Sequence, residues 1–100
     1  MDGKLSFFSL YRKRGFGLTI EILAELGAEA EESVFFAALK EKGSYLNEYY
    51  RVKKDLLKKG LIKYRLNEEY EKVIILTKKG SSLLEKIKDI EDILAQPIEE

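Results

Sequence analysis

The sequence contains no cysteine, no histidine and no tryptophan, and it has a single proline. Without cysteine there is neither a disulfide framework nor a thiolate metal site. Without histidine, the commonest general base and the commonest metal ligand are both missing. The cluster of carboxylates Glu68, Glu69 and Glu71 has the pattern of a solvated turn, and no other convergent pair is evident. We therefore expect no catalytic activity, no metal and no cofactor.

Long apolar runs are also missing. Residues 1–10 lack the apolar core and small-residue cleavage site of a signal peptide, and no stretch approaches the roughly 20 apolar residues of a membrane span. These features predict a cytoplasmic protein without a membrane partner. A chain of 100 residues suits one compact domain with a small core, which oligomerisation would help to stabilise.

The formal net charge is zero, but the charges are segregated along the chain. Positive charge predominates in residues 1–16 and 44–66, and negative charge in residues 17–43 and 67–100. Ordinary solvated faces account for such a distribution. A basic arm and a basic helix are equally what a protein that binds phosphates requires.

Apolar spacing predicts two helices in the first half. Gly15, Phe16 and Gly17 indicate a break, and residues 18–26 then show helical spacing as far as Gly27, a suitable C-terminal cap. The second helix is expected over residues 29–41, because acidic residues at its start suit the positive end of the helix dipole. Its buried stripe would consist of Val34, Phe35, Ala38 and Leu39.

A third helix is expected to begin at the N-cap Ser44 and to end at Gly60. One face should be buried and consists of Tyr45, Tyr49, Val52 and Leu56. The opposite face carries Asn47, Arg51, Lys54 and Lys58 at the same spacing. Asn and Arg match the edges of adenine and guanine, and Lys suits phosphates. Any surface helix also has a polar face, so spacing alone leaves both interpretations open.

Two β-prone segments follow, at residues 61–66 and 72–76. They are joined by an acidic turn, which the negative potential of a DNA groove would repel. We therefore expect Lys63 and Arg65, at the base of this hairpin, to carry its phosphate contacts, while the tip stays away from DNA or touches another protein. The basic triplet Arg12, Lys13 and Arg14 could also lie along phosphates or remain a solvated loop.

A final helix is predicted from Thr77 to a point before Pro97. Its apolar stripe either closes over the domain or forms a dimer interface. Because the other elements already cover one another, we favour the interface, which would consist of Leu83, Leu84, Ile87, Ile90 and Leu94.

Residues 44–80 resemble the second half of a winged helix-turn-helix domain of the MarR and PadR groups of transcriptional regulators. The resemblance is carried by two motifs, Leu56, Lys58, Lys59, Gly60, Leu61 and Ile62, then Leu76, Thr77, Lys79 and Gly80. It implies an α+β, mostly α fold: a three-helix core with a two-stranded wing in residues 17–80, an arm in residues 1–16, and a dimerisation helix with a tail in residues 81–100. Lys53 and Glu48 depart from the family pattern. We expect Lys53 to pack its stem and keep its ammonium in water, and Glu48 to accept from cytosine or repel phosphate.

By this resemblance the chain would be a homodimeric repressor of transcription that reads a palindromic site in double-stranded DNA. The DNA-binding residues would be Ser44, Asn47, Arg51, Lys54, Lys58, Lys63, Arg65, Arg12, Lys13 and Arg14. Two alternatives remain open. One is a winged-helix module that binds proteins rather than DNA, which the zero net charge, the acidic turn and Glu48 favour. The other is a plasmid-partition or chromosome-organising protein.

Overall fold

The computed structural model describes residues 6–98. Its elements, in chain order, are α1 Ser6–Tyr11, α2 Arg14–Glu25, β1 Glu29–Glu31, α3 Glu32–Glu41, α4 Leu46–Lys58, β2 Ile62–Leu66, β3 Lys72–Leu76 and α5 Lys78–Leu94. The three strands form one antiparallel sheet in the order β1-β3-β2. This confirms the α+β, mostly helical architecture. No helix among these residues is long and apolar enough to cross a membrane.

Strand β1 was not predicted, because residues 29–31 were assigned to the second helix. Gly27 and Ala28 both have positive φ, at 91° and 74°, and they turn the chain so that Glu29 lies opposite Ile75. Strand β3 would otherwise expose the unpaired backbone groups of one edge. The helix therefore starts only at Glu32, and the sheet has three strands rather than two.

The predicted break at residues 15–17 was wrong, because α2 starts at Arg14 and runs through it. Gly15 is needed for close packing instead. A Cβ atom at this position would lie 2.1 Å from the backbone oxygen of Glu48 in α4. Helix α2 thus crosses α4 with the two backbones almost in contact.

One apolar core joins all the helices and the sheet. Its members include Phe16, Ile20, Phe35, Tyr49 and Ile74, each fully buried. Val34 was predicted in this core, but it is 46% exposed.

The first helix, α1, packs on the domain. Leu10 is 6% exposed, and the rings of Phe7 and Tyr11 stack with centroids 5.0 Å apart. The Tyr11 hydroxyl donates to Glu91 of α5 at 3.1 Å.

The structure is continuous across the two boundaries that were predicted between arm, winged-helix domain and C-terminal helix. Helices α2 and α5 run across these boundaries, which follow residues 16 and 80. The core contains residues from both sides of each boundary.

Helix α5 divides its apolar stripe between two environments. Leu84 and Ile87 are 8% and 9% exposed and belong to the domain's own core. Neither side chain is therefore exposed for the contact with a partner that the sequence analysis expected. Leu83 also packs against that core. Further along the helix, Ile90 and Leu94 are 45% and 73% exposed. Only this distal part of the predicted interface faces outward.

Hydrogen bonds between the end of α4 and the start of α5 explain why the two sequence motifs occur together. Gly60 follows Lys59, the C-cap of α4, and its φ of 73° ends the helix, as predicted. Thr77 caps α5, because its Oγ1 accepts from the Gly80 amide at 3.0 Å. The same hydroxyl donates to the Gly60 carbonyl at 2.6 Å. Lys79 Nζ donates to the Lys59 carbonyl at 2.7 Å.

Candidate nucleic-acid interface

Helix α4 begins one residue later than predicted. Tyr45, with extended backbone angles of −108° and 151°, occupies the N-cap position. Ser44 is 3% exposed, and its hydroxyl donates to Glu48 Oε1 at 2.6 Å. The same carboxylate oxygen accepts from the Tyr45 amide at 3.2 Å. The prediction that Ser44 is the N-cap was therefore wrong, and its buried hydroxyl acts on Glu48 rather than lying on the surface.

The exposed face of α4 consists of Asn47, Arg51, Lys54 and Lys58, as the spacing predicted. On the opposite face Tyr49, Val52 and Leu56 are fully buried. Tyr45 was expected in that stripe but is 74% exposed, because it precedes the first helical turn. Among residues 6–98, the four polar side chains of the exposed face form no ion pair. They are therefore free to meet a ligand.

The basic triplet of residues 12–14 lies alongside α4. Lys13 Nζ is 3.5 Å from Asp55 Oδ2, and Arg14 Nη1 is 3.4 Å from Glu48 Oε1. The triplet, Gly15, Glu48 and Arg51 together line a cleft of about 190 Å³. Exposed pairs of this kind contribute only about 0–1 kcal/mol, so both cations can exchange their carboxylates for phosphates at little cost.

Glu48 is the carboxylate at the centre of this cationic group. Its pKa is lowered by the hydrogen bond from Ser44, then by the Tyr45 amide, and further by the charges of Arg14 and Arg51. It is therefore ionised at neutral pH and holds Arg14 beside the exposed face of α4. Glu48 lies beside the exposed face of α4 in the sequence and also lines the cleft. We therefore expect its negative charge to affect which ligand that face binds.

The base of the wing contributes two cations, of which only Arg65 forms an ion pair within residues 6–98. Lys63 is exposed. The Nη2 atom of Arg65 lies 2.6 Å and 3.2 Å from the two carboxylate oxygens of Glu29. Because Glu29 is in the unpredicted strand β1, this partner could not be inferred from the sequence.

An aromatic cluster holds α4 against the wing. The hydroxyls of Tyr49 and Tyr64 are hydrogen-bonded to each other, and burial raises the pKa of both. The ammonium of Lys53 lies over the rings of Tyr50 and Tyr64, at 5.5 Å and 5.2 Å. Lys53 is half-buried, as a snorkelling side chain should be. These contacts, which sequence reasoning missed, fix the direction of the wing relative to the exposed face of α4.

The wing tip, residues 67–71, is a fixed acidic turn. Asn67 Oδ1 accepts from the amides of Glu69 and Glu71 at 2.9 Å and 2.8 Å. Tyr70, with a φ of 63°, is 83% exposed. A tip of this charge does not suit a DNA groove.

Removing one carboxylate beneath the tip is expected to stabilise the domain at neutral pH. A hydrogen bond to Glu71, and then the repulsion between the two carboxyls, raises the pKa of Glu31 above its ordinary 4.5. A raised folded-state pKa favours the folded state at low pH, and the advantage is lost as the pH rises through that pKa. Glu31→Gln should therefore flatten the pH dependence of the free energy of unfolding above pH 4.5.

Urea unfolding measured at several pH values checks this, with Glu68→Gln in the neighbouring wing tip as the matched control. A Glu31→Gln protein whose stability still falls with pH in parallel with the parent would contradict the repulsion between the Glu31 and Glu71 carboxyls.

No group of three or more acidic side chains within residues 6–98 is arranged to hold a metal ion.

No protein-family model and no curated protein matches the sequence. Among solved structures, the chain is similar to F93 from STIV, described as a winged-helix DNA-binding protein. The two share 18% sequence identity with a TM-score of 0.64, over 80% of this chain and 89% of F93. The chain therefore has a winged-helix fold.

Proposed function

We propose that the chain binds double-stranded DNA in a sequence-specific manner and acts as a dimeric repressor of transcription. The observation that carries the proposal is the exposed polar face of α4, with Asn47 and Arg51 in its first half and Lys54 and Lys58 in its second. The similarity of the fold to a winged-helix DNA-binding protein supports it. A helix of this kind fits the major groove of B-DNA, which is about 12 Å wide.

The roles of the side chains follow from their chemistry. Arg51 can donate two hydrogen bonds to guanine, and Asn47 can pair with adenine. Lys54 and Lys58 would contact phosphates. The triplet at residues 12–14 lines a cleft together with Arg51 of α4, so we assign it to the DNA backbone beside that helix. Lys63 would contact the backbone from the wing, and Arg65 would do so only after leaving Glu29.

The test is selection from a random duplex pool at two salt concentrations, followed by sequencing. A recovered palindromic motif, with affinity that falls steeply as salt rises, is the expected result. Salt-sensitive binding without a motif would favour a partition or chromosome-organising role. An absence of binding at low salt would contradict the proposal and favour a protein-interaction module, which the acidic wing tip also suits.

We further propose that two copies pair through the distal part of α5. Ile90, Ile93 and Leu94 are 45%, 63% and 73% exposed, and burying an apolar side chain contributes about 1.5–3 kcal/mol. Two recognition helices related by a two-fold axis would then read half-sites about 34–36 Å apart. This replaces the interface that included Leu84 and Ile87.

Ile90→Ser combined with Leu94→Ser is expected to yield monomers in sedimentation velocity experiments. Both residues are exposed, so the free energy of unfolding of each monomer should change little. The matched control is Val34→Ser, which removes an equally exposed apolar side chain from α3. A dimer that persists in the double variant would place the interface elsewhere.

A further inference from the structure

A cavity of about 340 Å³ lies where α1, the end of α4 and the start of α5 meet. Its lining residues are Phe7, Leu10, Lys59, Leu61, Lys79 and Leu83. This volume is at the small end of the range of about 300–1,000 Å³ for ligand pockets. The cavity is separate from the exposed face of α4 and from the distal part of α5.

The lining combines an apolar wall with two ammonium groups. Leu10 and Leu61 are 6% and 4% exposed, and Phe7 and Leu83 pack against the core. The other two lining residues, Lys59 and Lys79, are exposed, and within residues 6–98 no acidic side chain lines the cavity. A ligand that matches both parts has an apolar body and a single anionic head.

We propose that this cavity binds a monocarboxylate with a medium-length aliphatic chain. An apolar cavity of about 150 Å³ holds benzene, so the volume here suits a chain of about eight carbons. The carboxylate would pair with the ammonium groups of Lys59 and Lys79, and the chain would lie against Leu10, Leu61 and Leu83. A phosphate ion would leave the apolar wall in water, and a neutral chain would leave both cations unpaired.

The position of the cavity connects such a ligand with helix α4. Lys79 Nζ donates to the carbonyl of Lys59, and Lys59 is the C-cap of α4. The Lys79 ammonium has three donors, so a carboxylate paired with it would lie directly beside the end of α4. A resulting change in DNA affinity rests on the proposed function, whereas the binding of the carboxylate does not.

Isothermal titration calorimetry without DNA tests the binding, with octanoate as the probe. Octanoate should bind with one molecule per chain, and octanol at least about tenfold more weakly, because a charge-assisted hydrogen bond contributes about 1.5–3 kcal/mol. From hexanoate to octanoate the affinity should rise about fourfold per methylene, equivalent to about 0.8 kcal/mol each. Equal affinities for octanoate and octanol, or no binding, would overturn the proposal.

Matched variants locate the site. Lys79→Met and Lys59→Met keep the apolar stem and remove the charge, so each should weaken octanoate and leave octanol unchanged. Lys86→Met, further along α5, should have no effect. Ile93→Ser with Leu94→Ser removes the exposed distal patch, and a loss of octanoate binding in that variant would overturn the assignment to the cavity. Octanoate binding by a chain that fails to bind DNA would contradict only the proposed function.

Discussion

Gly15→Ala is expected to destabilise the domain by about 3 kcal/mol, at the upper end of the usual cost of overpacking. The added Cβ atom would lie 2.1 Å from the Glu48 carbonyl oxygen and 2.7 Å from its carbon. Both are backbone atoms, so relief requires α2 and α4 to move apart. For a domain with about 5–15 kcal/mol of total stability this is a large loss.

Gly17→Ala is the matched control for this prediction. Gly17 lies in the same helix, and its Cβ would meet only a Glu21 carboxylate oxygen at 4.0 Å. Alanine is better than glycine in a helix interior by roughly 0.5–1 kcal/mol, so this variant should be stabilised. Urea unfolding followed by circular dichroism measures both. Two variants that change stability by the same amount would contradict the close crossing of α2 and α4.

Arg51→Ala is expected to weaken binding to the selected DNA site by about 1–3 kcal/mol and to relax the preference at one base pair. Arg51 is exposed, so the variant should fold normally. Arg51→Lys keeps the positive charge but loses the pair of N–H donors that can bind one base together, so it should also relax the preference at that base pair. Lys54→Ala should instead weaken binding to all sequences similarly and lower the salt slope by about 1.

Lys86→Ala is the control for these variants, because it removes one positive charge from α5, outside the proposed interface. Fluorescence anisotropy on the selected site and on a scrambled duplex provides the affinities. Parental affinity and parental base preference in Arg51→Ala would show that the exposed face of α4 does not read DNA.

Features governed by local chemistry were predicted closely. The wing strands were placed to within one residue, because apolar alternation and turn residues specify them locally. Gly60 and Thr77 were assigned correctly as a helix stop and a helix cap. The burial of Tyr49, Val52 and Leu56 followed from helical spacing alone.

Features that depend on distant partners were missed. Strand β1 has three residues and no apolar periodicity, and it forms because β3 has an open edge. The capping of α4 shifted by one residue, because Glu48 accepts from both Ser44 and Tyr45.

The stripe on α5 is continuous in sequence, so its division could not be predicted. The 17 residues of α5 extend over about 25 Å, and the core covers only the first part of the helix. The approach of residues 12–14 to Arg51 also depends on the path of α1 and α2.

DNA recognition by α4 is tested by titrating the ¹⁵N-labelled protein with the selected duplex and following its amide chemical shifts. We expect the largest changes in the first half of α4 and in residues 12–14, smaller changes at Lys63, and little change at the wing tip. Changes confined to the wing tip and α5, with α4 unaffected, would contradict DNA recognition by α4.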